Sequence, residues 1–436
     1  MVREYHKRFI EIKEKYNKTN KISLNEISYR DILSMANHSI AIAEVFPESA
    51  LNYNNSAATK AYEKGLFTIA NKFFNNCLDI ISKYDTQIQI DKYLELFIIY
   101  SKSLLDEQSS IERVDRCLEK AKDIIDKMSR GADKEYATLE IKLIDCLKFY
   151  RLGDYQNARI IAKEIIDHDA TEVQKLRAKF YFAISIDLKE VRERKEKHLK
   201  VIEQAKRLSQ NNLKLAEKIE VWKVLSEVFN NTGFVFLKGN EPEDAREYFN
   251  QAIKINKKPE VNDQKGISIA NGGLGDCHYA LKDYGQAEKH YSINLDISRN
   301  NGDKQGIGRM TSMLGSIKLL NAKNEKDADI KDSFIDESER YYNESLMVAE
   351  VQKHGMNIFF ALSGLLKNFI ISESYEKCEE IFNKIEKNSD IFTTQDELNK
   401  LNGLVQKLEE NVPKNQFDSE IKKVKNILSK QAENKG

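Results

Sequence analysis

Between residues 269 and 297 the positions Leu274-Gly275, Tyr279-Ala280-Leu281, Tyr284, Ala287, Tyr291 and Leu295 are apolar or small, and polar residues fill the gaps. Intervals of three, four and seven on either side of Asp283 predict two helices joined by a turn. Displaced by 42 residues, Gly233, Phe236, Ala245, Phe249, Ala252 and Ile253 show the same arrangement. The pattern predicts repeated helix, turn, helix units. Gly233 and Gly275 in the first helix, and Ala245 and Ala287 in the second, let two backbones approach closely.

The small-residue position recurs at Ala70, Val114, Ala158, His198, Ala245, Ala287, Ser338 and Cys378, in steps of 40 to 51 residues. About eight helix pairs are therefore expected, spanning residues 51–391. The longest step carries a polar run, residues 321–332, expected as an exposed turn or helix extension. Residues 1–50 form a separate helical segment, with helices expected over 4–16 and 27–45. In residues 392–436, Leu398, Leu401, Leu404, Val405 and Leu408, then Ile421, Val424 and Leu428, keep helical spacing on either side of Pro413 and Asn415. Terminal helices of this kind shield the last apolar surface of a solenoid.

Composition supports an all-helical chain. Only 4 prolines and 18 glycines occur in 436 residues, where average usage would give roughly 22 and 30, too few for many hairpins. Hydrophobic residues make up 41% and charged residues 32%, so the core must lie on stripes flanked by charge. Lys plus Arg and Asp plus Glu both number 69. A neutral chain has no global field to draw in a polyanion or an anionic leaflet, so neither nucleic acid nor a membrane surface is an expected partner. Cys77, Cys117, Cys146, Cys277 and Cys378 are widely spaced without a C-x-x-C pair, and are expected as helix-packing residues in a reducing compartment. No apolar h-region opens the chain and no run of 18 apolar residues occurs, so a cytoplasmic location is expected.

The run Leu274-Gly275, Asp283-Tyr284-Gly285-Gln286-Ala287 and Tyr291 resembles the tetratricopeptide repeat. So do Gly153-Asp154-Tyr155-Gln156-Asn157-Ala158, Ala70-Asn71-Lys72-Phe73-Phe74, and Ser374-Tyr375-Glu376-Lys377-Cys378 with Phe382. The steps exceed the usual period of about 34 residues. In this the chain is similar to the extended repeats of kinesin light chains, G-protein-signalling modulators and bacterial Rap-like peptide-sensing regulators. His198 and Val114 depart from the small residue of the pattern, and Asn294 replaces the second Ala. The resemblance implies an all-α, right-handed superhelical solenoid with helical caps at both ends.

Catalytic templates are missing: the sequence holds no G-x-x-x-x-G-K-[ST], H-E-x-x-H or G-x-S-x-G, and Gly272-Gly273 with Gly275 lies inside a helical pattern. Asp167-His168-Asp169 reads as a solvated turn, since no second histidine is placed to complete a metal site. His278 and His290 fall on the two helices of one pair and can approach each other. Trp222 reads as a core residue of its helix. The run from Lys189 to His198 mixes signs and reads as a solvated helix face. Neither an enzyme, a metal nor a cofactor is expected.

Stacked helix pairs present a groove lined by the first helix of each pair. The resemblance implies that positions three before, one after and four after the helix glycine face it. Asn230, Phe234, Leu237, Asp276, Tyr279, Ser312, Ser316 and Lys367 occupy such positions, and Arg309 lies one turn earlier on the same face. A wall of this kind can bond an extended peptide backbone and seat apolar side chains. The expected function is a protein- or peptide-binding scaffold or adaptor, free-standing or within a larger complex. The alternative is a Rap- or PlcR-like signal-peptide sensor that regulates a partner protein.

Overall fold

The structure, a computed structural model, describes residues 2–19, 22–64, 66–84, 93–106, 111–187, 190–388, 395–411 and 418–433. Pro413 and Asn415 lie outside them. Every regular element among the described residues is helical. The chain divides into two compact units, Met1–Ile267 and Ser268–Gly436.

In the first unit, α1 (Val2–Thr19) and α2 (Tyr29–Ile40) precede helix pairs joined by short connections. These are α3 (Pro47–Glu63) with α4 (Phe67–Tyr84), α5 (Leu94–Asp106) with α6 (Ile111–Lys127), α7 (Ala132–Arg151) with α8 (Tyr155–Asp167), α9 (Glu172–Ile184) with α10 (Val191–Gln210), and α11 (Leu215–Lys238) with α12 (Pro242–Asn256). Helix α13 (Gln264–Ala280) begins in this unit and continues into the second. The second unit adds α14 (Tyr284–Asn301), then pairs α15 (Lys304–Asn324) with α16 (Ala328–Gln352), α17 (Gly355–Ser372) with α18 (Cys378–Asn388), and α19 (Gln395–Asn411) with α20 (Asp418–Glu433).

Residues 70, 114, 158, 198, 245, 287, 338 and 378 each sit in the second helix of a pair, and all eight are 0% exposed. The position thus demands burial more strictly than smallness, which is why Val114 and His198 are accommodated. Close approach in α11 and α13 comes from glycine: a Cβ on Gly233 would stand 2.6 Å from the Phe249 ring, and one on Gly275 would overlap the Tyr291 ring.

The turn inside a pair has a recurrent design. Gly153 (φ +77°), Asn240 (φ +60°), Lys282 (φ +62°) and Glu373 (φ +59°) adopt left-handed backbone. In each case the N-cap residue of the following helix comes next. Asp154 and Asp283 accept hydrogen bonds from the amides of Asn157 and Gln286, satisfying donors that the first turn of a helix leaves open.

In the first unit, one apolar cluster runs from Ile10 and Ile32 through Phe74, Phe97 and Leu118 to Ile144. Another in the second unit joins Leu346, Leu362 and Phe382 to Leu398, Leu401, Val405, Leu408, Ile421, Val424 and Leu428. The terminal helices α19 and α20 therefore cover the apolar face of α17 and α18, as the sequence pattern implied. Helix α17 is long and apolar enough to span a membrane, but 67% of it is buried within the protein. The polar run at 321–332 lengthens α15 and α16 and leaves only 325–327 as a turn. It is anchored at Ala322, which is fully buried.

Candidate functional site

Several first helices of the first unit place a charge among apolar neighbours, and these charges meet. Lys102 interrupts the run Leu94–Asp106 beside buried Ser101, Ser103 and Leu104. Arg177 Nη1 on α9 donates to both carboxylate oxygens of Glu140 on α7 at 2.8 Å, and their side chains are 9% and 7% exposed. Gln174 Nε2 donates to Glu140 at 3.2 Å and Lys102 Nζ lies 3.5 Å away. Burial works against a charged Glu140, but Arg177 and then Lys102 outweigh it and hold the carboxyl at about 2. Burial, followed by repulsion from Arg177, lowers Lys102.

One turn beyond Lys102, Asp106 receives Lys265 Nζ at 2.9 Å from the first turn of α13. The Tyr62 hydroxyl donates to Asp106 at 3.3 Å, Arg151 stands 3.8 Å away, and Lys265 lies 4.8 Å over the Phe67 ring. Burial opposes the charge on Asp106, yet Lys265 and Arg151 keep its carboxyl below the ordinary range. Helix α11 contributes Glu220 and, two turns on, Glu227. Glu220 lies within the field of Arg177 and Lys102. Glu227 is exposed, and crowding by protein, then the charges of Asp106 and Asp263, push it up to about 7.

Side chains from α3, α5, α7, α9, α11 and the start of α13 thus share one set of electrostatic neighbours, so these helices line a common wall. It is closed by Lys265 and Asp106, residues 159 apart in sequence. The wall carries fixed charges of both signs, paired with one another across successive first helices. The sequence reading missed it, because in a chain that is 32% charged single ionic residues carry little weight. The usable signal was local: an ionic residue inside an otherwise apolar helix, as at Lys102.

The residues expected in the groove have mixed placements. Asn230 is 4% exposed and its Nδ2 donates to the Gly266 carbonyl at 3.3 Å. Phe234 packs edge-on against Phe249 and, like Leu237, is half-buried. In the second unit Arg309 Nη2 binds Asp276 at 2.5 Å, and Asp276 also accepts the Tyr291 hydroxyl at 2.8 Å. Tyr279 is half-buried and edge-on to Tyr284. Ser312 is buried and its hydroxyl bonds that of Ser345 of α16 at 2.7 Å. Ser316 likewise engages the Tyr342 hydroxyl of α16 at 2.8 Å. Lys367 is exposed.

His278 and His290 stack with ring centroids 5.4 Å apart, and Asp167, His168 and Asp169 are exposed. Trp222 is half-buried rather than in the core, with Lys258 4.5 Å and Lys218 5.8 Å over its ring. The run ending at His198 is not wholly a solvated face; its Lys189 lies outside the described residues. Arg194 and His198 turn inward at 7% and 0% exposure. Arg194 donates to the Ile186 carbonyl, and burial lowers His198 to about 3, so it packs as the neutral imidazole. The five cysteines are buried and none forms a disulfide. Among the described residues no group of three or more His, Cys, Asp or Glu is placed to hold a metal ion.

No family model matches the sequence, and no curated protein matches it. Among solved structures the chain is similar to a Rap protein complexed with competence and sporulation factor, at 13% identity and a TM-score of 0.46, covering 87% of this chain and 99% of that one. It is similar to apo RapI at 15% identity and a TM-score of 0.40, covering 67% and 99%. Aspartyl phosphate phosphatase F from Bacillus subtilis gives 16% identity and a TM-score of 0.42, covering 89% and 92%. These scores are low, and the helical-repeat assignment rests on the helix pairs themselves.

Proposed function

We propose that the chain is a non-enzymatic scaffold that holds a peptide or an extended segment of a partner protein against the first-helix wall of Met1–Ile267. The observation that carries this reading is the ionic ladder Lys102, Glu140, Arg177 and Glu220. It places charges from four successive helix pairs on one wall and fixes three of them with side-chain hydrogen bonds. Buried ion pairs add little net stability compared with apolar packing; as a surface for orienting a charged ligand they gain a use.

A second reading, a peptide-responsive regulator of a partner protein, is supported by the Asp106–Lys265 contact. It joins α5 to α13, so a ligand entering the wall acts on a closure that can be made or broken. Both readings are tested by random-peptide display against the full chain. Selected peptides should lose affinity on the order of tenfold or more when Glu220 is changed to Lys. The exposed Glu243 of α12, changed in the same way, serves as the comparison. Selection yielding no binder, or binders indifferent to Glu220, would remove both.

A further inference from the structure

One aromatic side chain and two cations stand apart from the ionic wall. Trp222, the single tryptophan of the chain, is half-buried on α11. It follows Glu220 of the wall by two residues, about 200° around the helix, so the two side chains leave α11 on opposite sides. Lys258 Nζ lies 4.5 Å and Lys218 Nζ 5.8 Å from the centre of its ring. Lys218 sits one turn before Trp222 on the same face. Lys258 follows α12, and its carbonyl accepts from the Val261 and Asn262 amides at 3.0 and 2.8 Å, which fixes the turn that carries it. Leu215, two turns before Trp222 on that face, is 61% exposed.

What this face lacks is an acceptor. Among the described residues neither ammonium has a carboxylate at ion-pair distance, whereas Lys223 on the same helix stands 3.9 Å from Glu220. The indole N–H likewise donates to no protein acceptor among the described residues. An ammonium over an exposed ring gains about 0.5–1 kcal/mol, and its N–H donors stay open to an incoming group. Three donors, two of them charged, therefore surround one apolar ring beside an exposed leucine. Their complement is a carboxylate next to an apolar side chain. A continuous phosphodiester fits less well, because Glu217, exposed between Leu215 and Lys218, repels its closely spaced charges, whereas separate carboxylates can avoid it.

We propose that the face of α11 bearing Leu215 and Trp222, together with Lys218 and Lys258, docks an acidic segment of a partner protein in which an apolar side chain lies between carboxylates. The apolar side chain covers Leu215 and the ring edge, removing both from water. The carboxylates accept from the two ammonium groups and the indole N–H. Charge complementarity sets the sign of the partner, and the half-buried tryptophan supplies its anchor. The surface does not depend on the wall, which lies on the other side of α11.

Because Trp222 is the only tryptophan, its emission reports on this surface alone. The full chain is titrated with the capped peptide EELLEE, and the comparison peptide QQLLQQ keeps the apolar side chains without the charge. EELLEE should give a saturable change in emission that weakens as salt rises, and QQLLQQ should give none. K218Q combined with K258Q keeps most of both stems over the ring and should weaken EELLEE on the order of tenfold, the value of two partly exposed ionic contacts. L215S should weaken it as well. K163Q, at an exposed lysine of α8, and E220Q, on the wall, should leave it unchanged. Calorimetry on the same pairs checks that the optical change is binding. No saturable change, equal binding of QQLLQQ, indifference to the double lysine substitution, or loss with E220Q overturns the surface. A thymidine oligonucleotide that binds more tightly than EELLEE through the same two lysines overturns the assignment to an acidic protein segment.

Discussion

The Lys265 ammonium reaches Asp106 at 2.9 Å across 159 residues of sequence, tying the start of α13 to the end of α5. Lys265→Met keeps a chain able to cover the Phe67 ring but removes the charge, leaving Asp106 with Arg151 at 3.8 Å. Since these side chains are 29% and 22% exposed, we expect a loss of about 1–2 kcal/mol in denaturant unfolding, between the surface and buried limits. Amide exchange should quicken within 94–106 and 264–280; unchanged exchange would show that the contact closes nothing.

Glu140→Gln should be more damaging, about 3–5 kcal/mol, because it leaves Arg177 charged and buried without its counter-ion. The pH dependence has a definite sign. The Glu140 carboxyl is lowered from 4.5 to about 2 on folding. Its contribution is therefore present above about pH 4.5 and lost as pH falls through about 2. Acid titration of stability should show this loss in the wild type and not in Glu140→Gln. Identical acid limbs would refute the ion pair.

The turn between α13 and α14 gives a prediction of opposite direction. Lys282 holds φ +62° where Gly153 stands in the matching turn, and its side chain is exposed. Lys282→Gly should stabilise the chain by about 0.5–1 kcal/mol by removing the steric cost of a left-handed Lys. A lower melting temperature would mean that the turn depends on the Lys side chain.

Much of the fold was legible because helix pairing imposes a period. Ala245, Phe249 and Gly233 repeat as Ala287, Tyr291 and Gly275, and the packing that links them depends on size and spacing alone. The ionic wall was less legible. Its members are set by which first helices curl together, and Lys265 meeting Asp106 across 159 residues leaves no local pattern. Asn230 holds a fixed offset from Gly233, and the structure buries it with its Nδ2 on the Gly266 carbonyl. Ser312 has the same offset from Gly315, yet its hydroxyl is drawn to Ser345 of its own pair, a choice that spacing cannot specify.

Glu227 gives a second pH signature. Its carboxyl is raised from 4.5 to about 7, by crowding from the surrounding protein first and then by Asp106 and Asp263. The folded state therefore binds this proton more tightly, and the stability it confers is lost as pH rises through about 7. Glu227→Gln should match the wild type near pH 4.5 and exceed it in melting temperature above neutrality. A parallel pair of curves would show that Asp106 and Asp263 exert no field on Glu227.

The central claim is that ligands bind the first-helix wall of Met1–Ile267, and site-specific photo-crosslinking tests it most directly. A photoreactive phenylalanine at Tyr136, on α7 beside Glu140 and Arg177, samples the wall, and one at Tyr155, on the second helix of the same pair, samples the other face. Both tyrosines are exposed, at 52% and 45%. With a display-selected peptide the wall reading predicts adducts from position 136 that unlabelled peptide competes away, and none from position 155. Adducts from 155 in preference to 136 would contradict it.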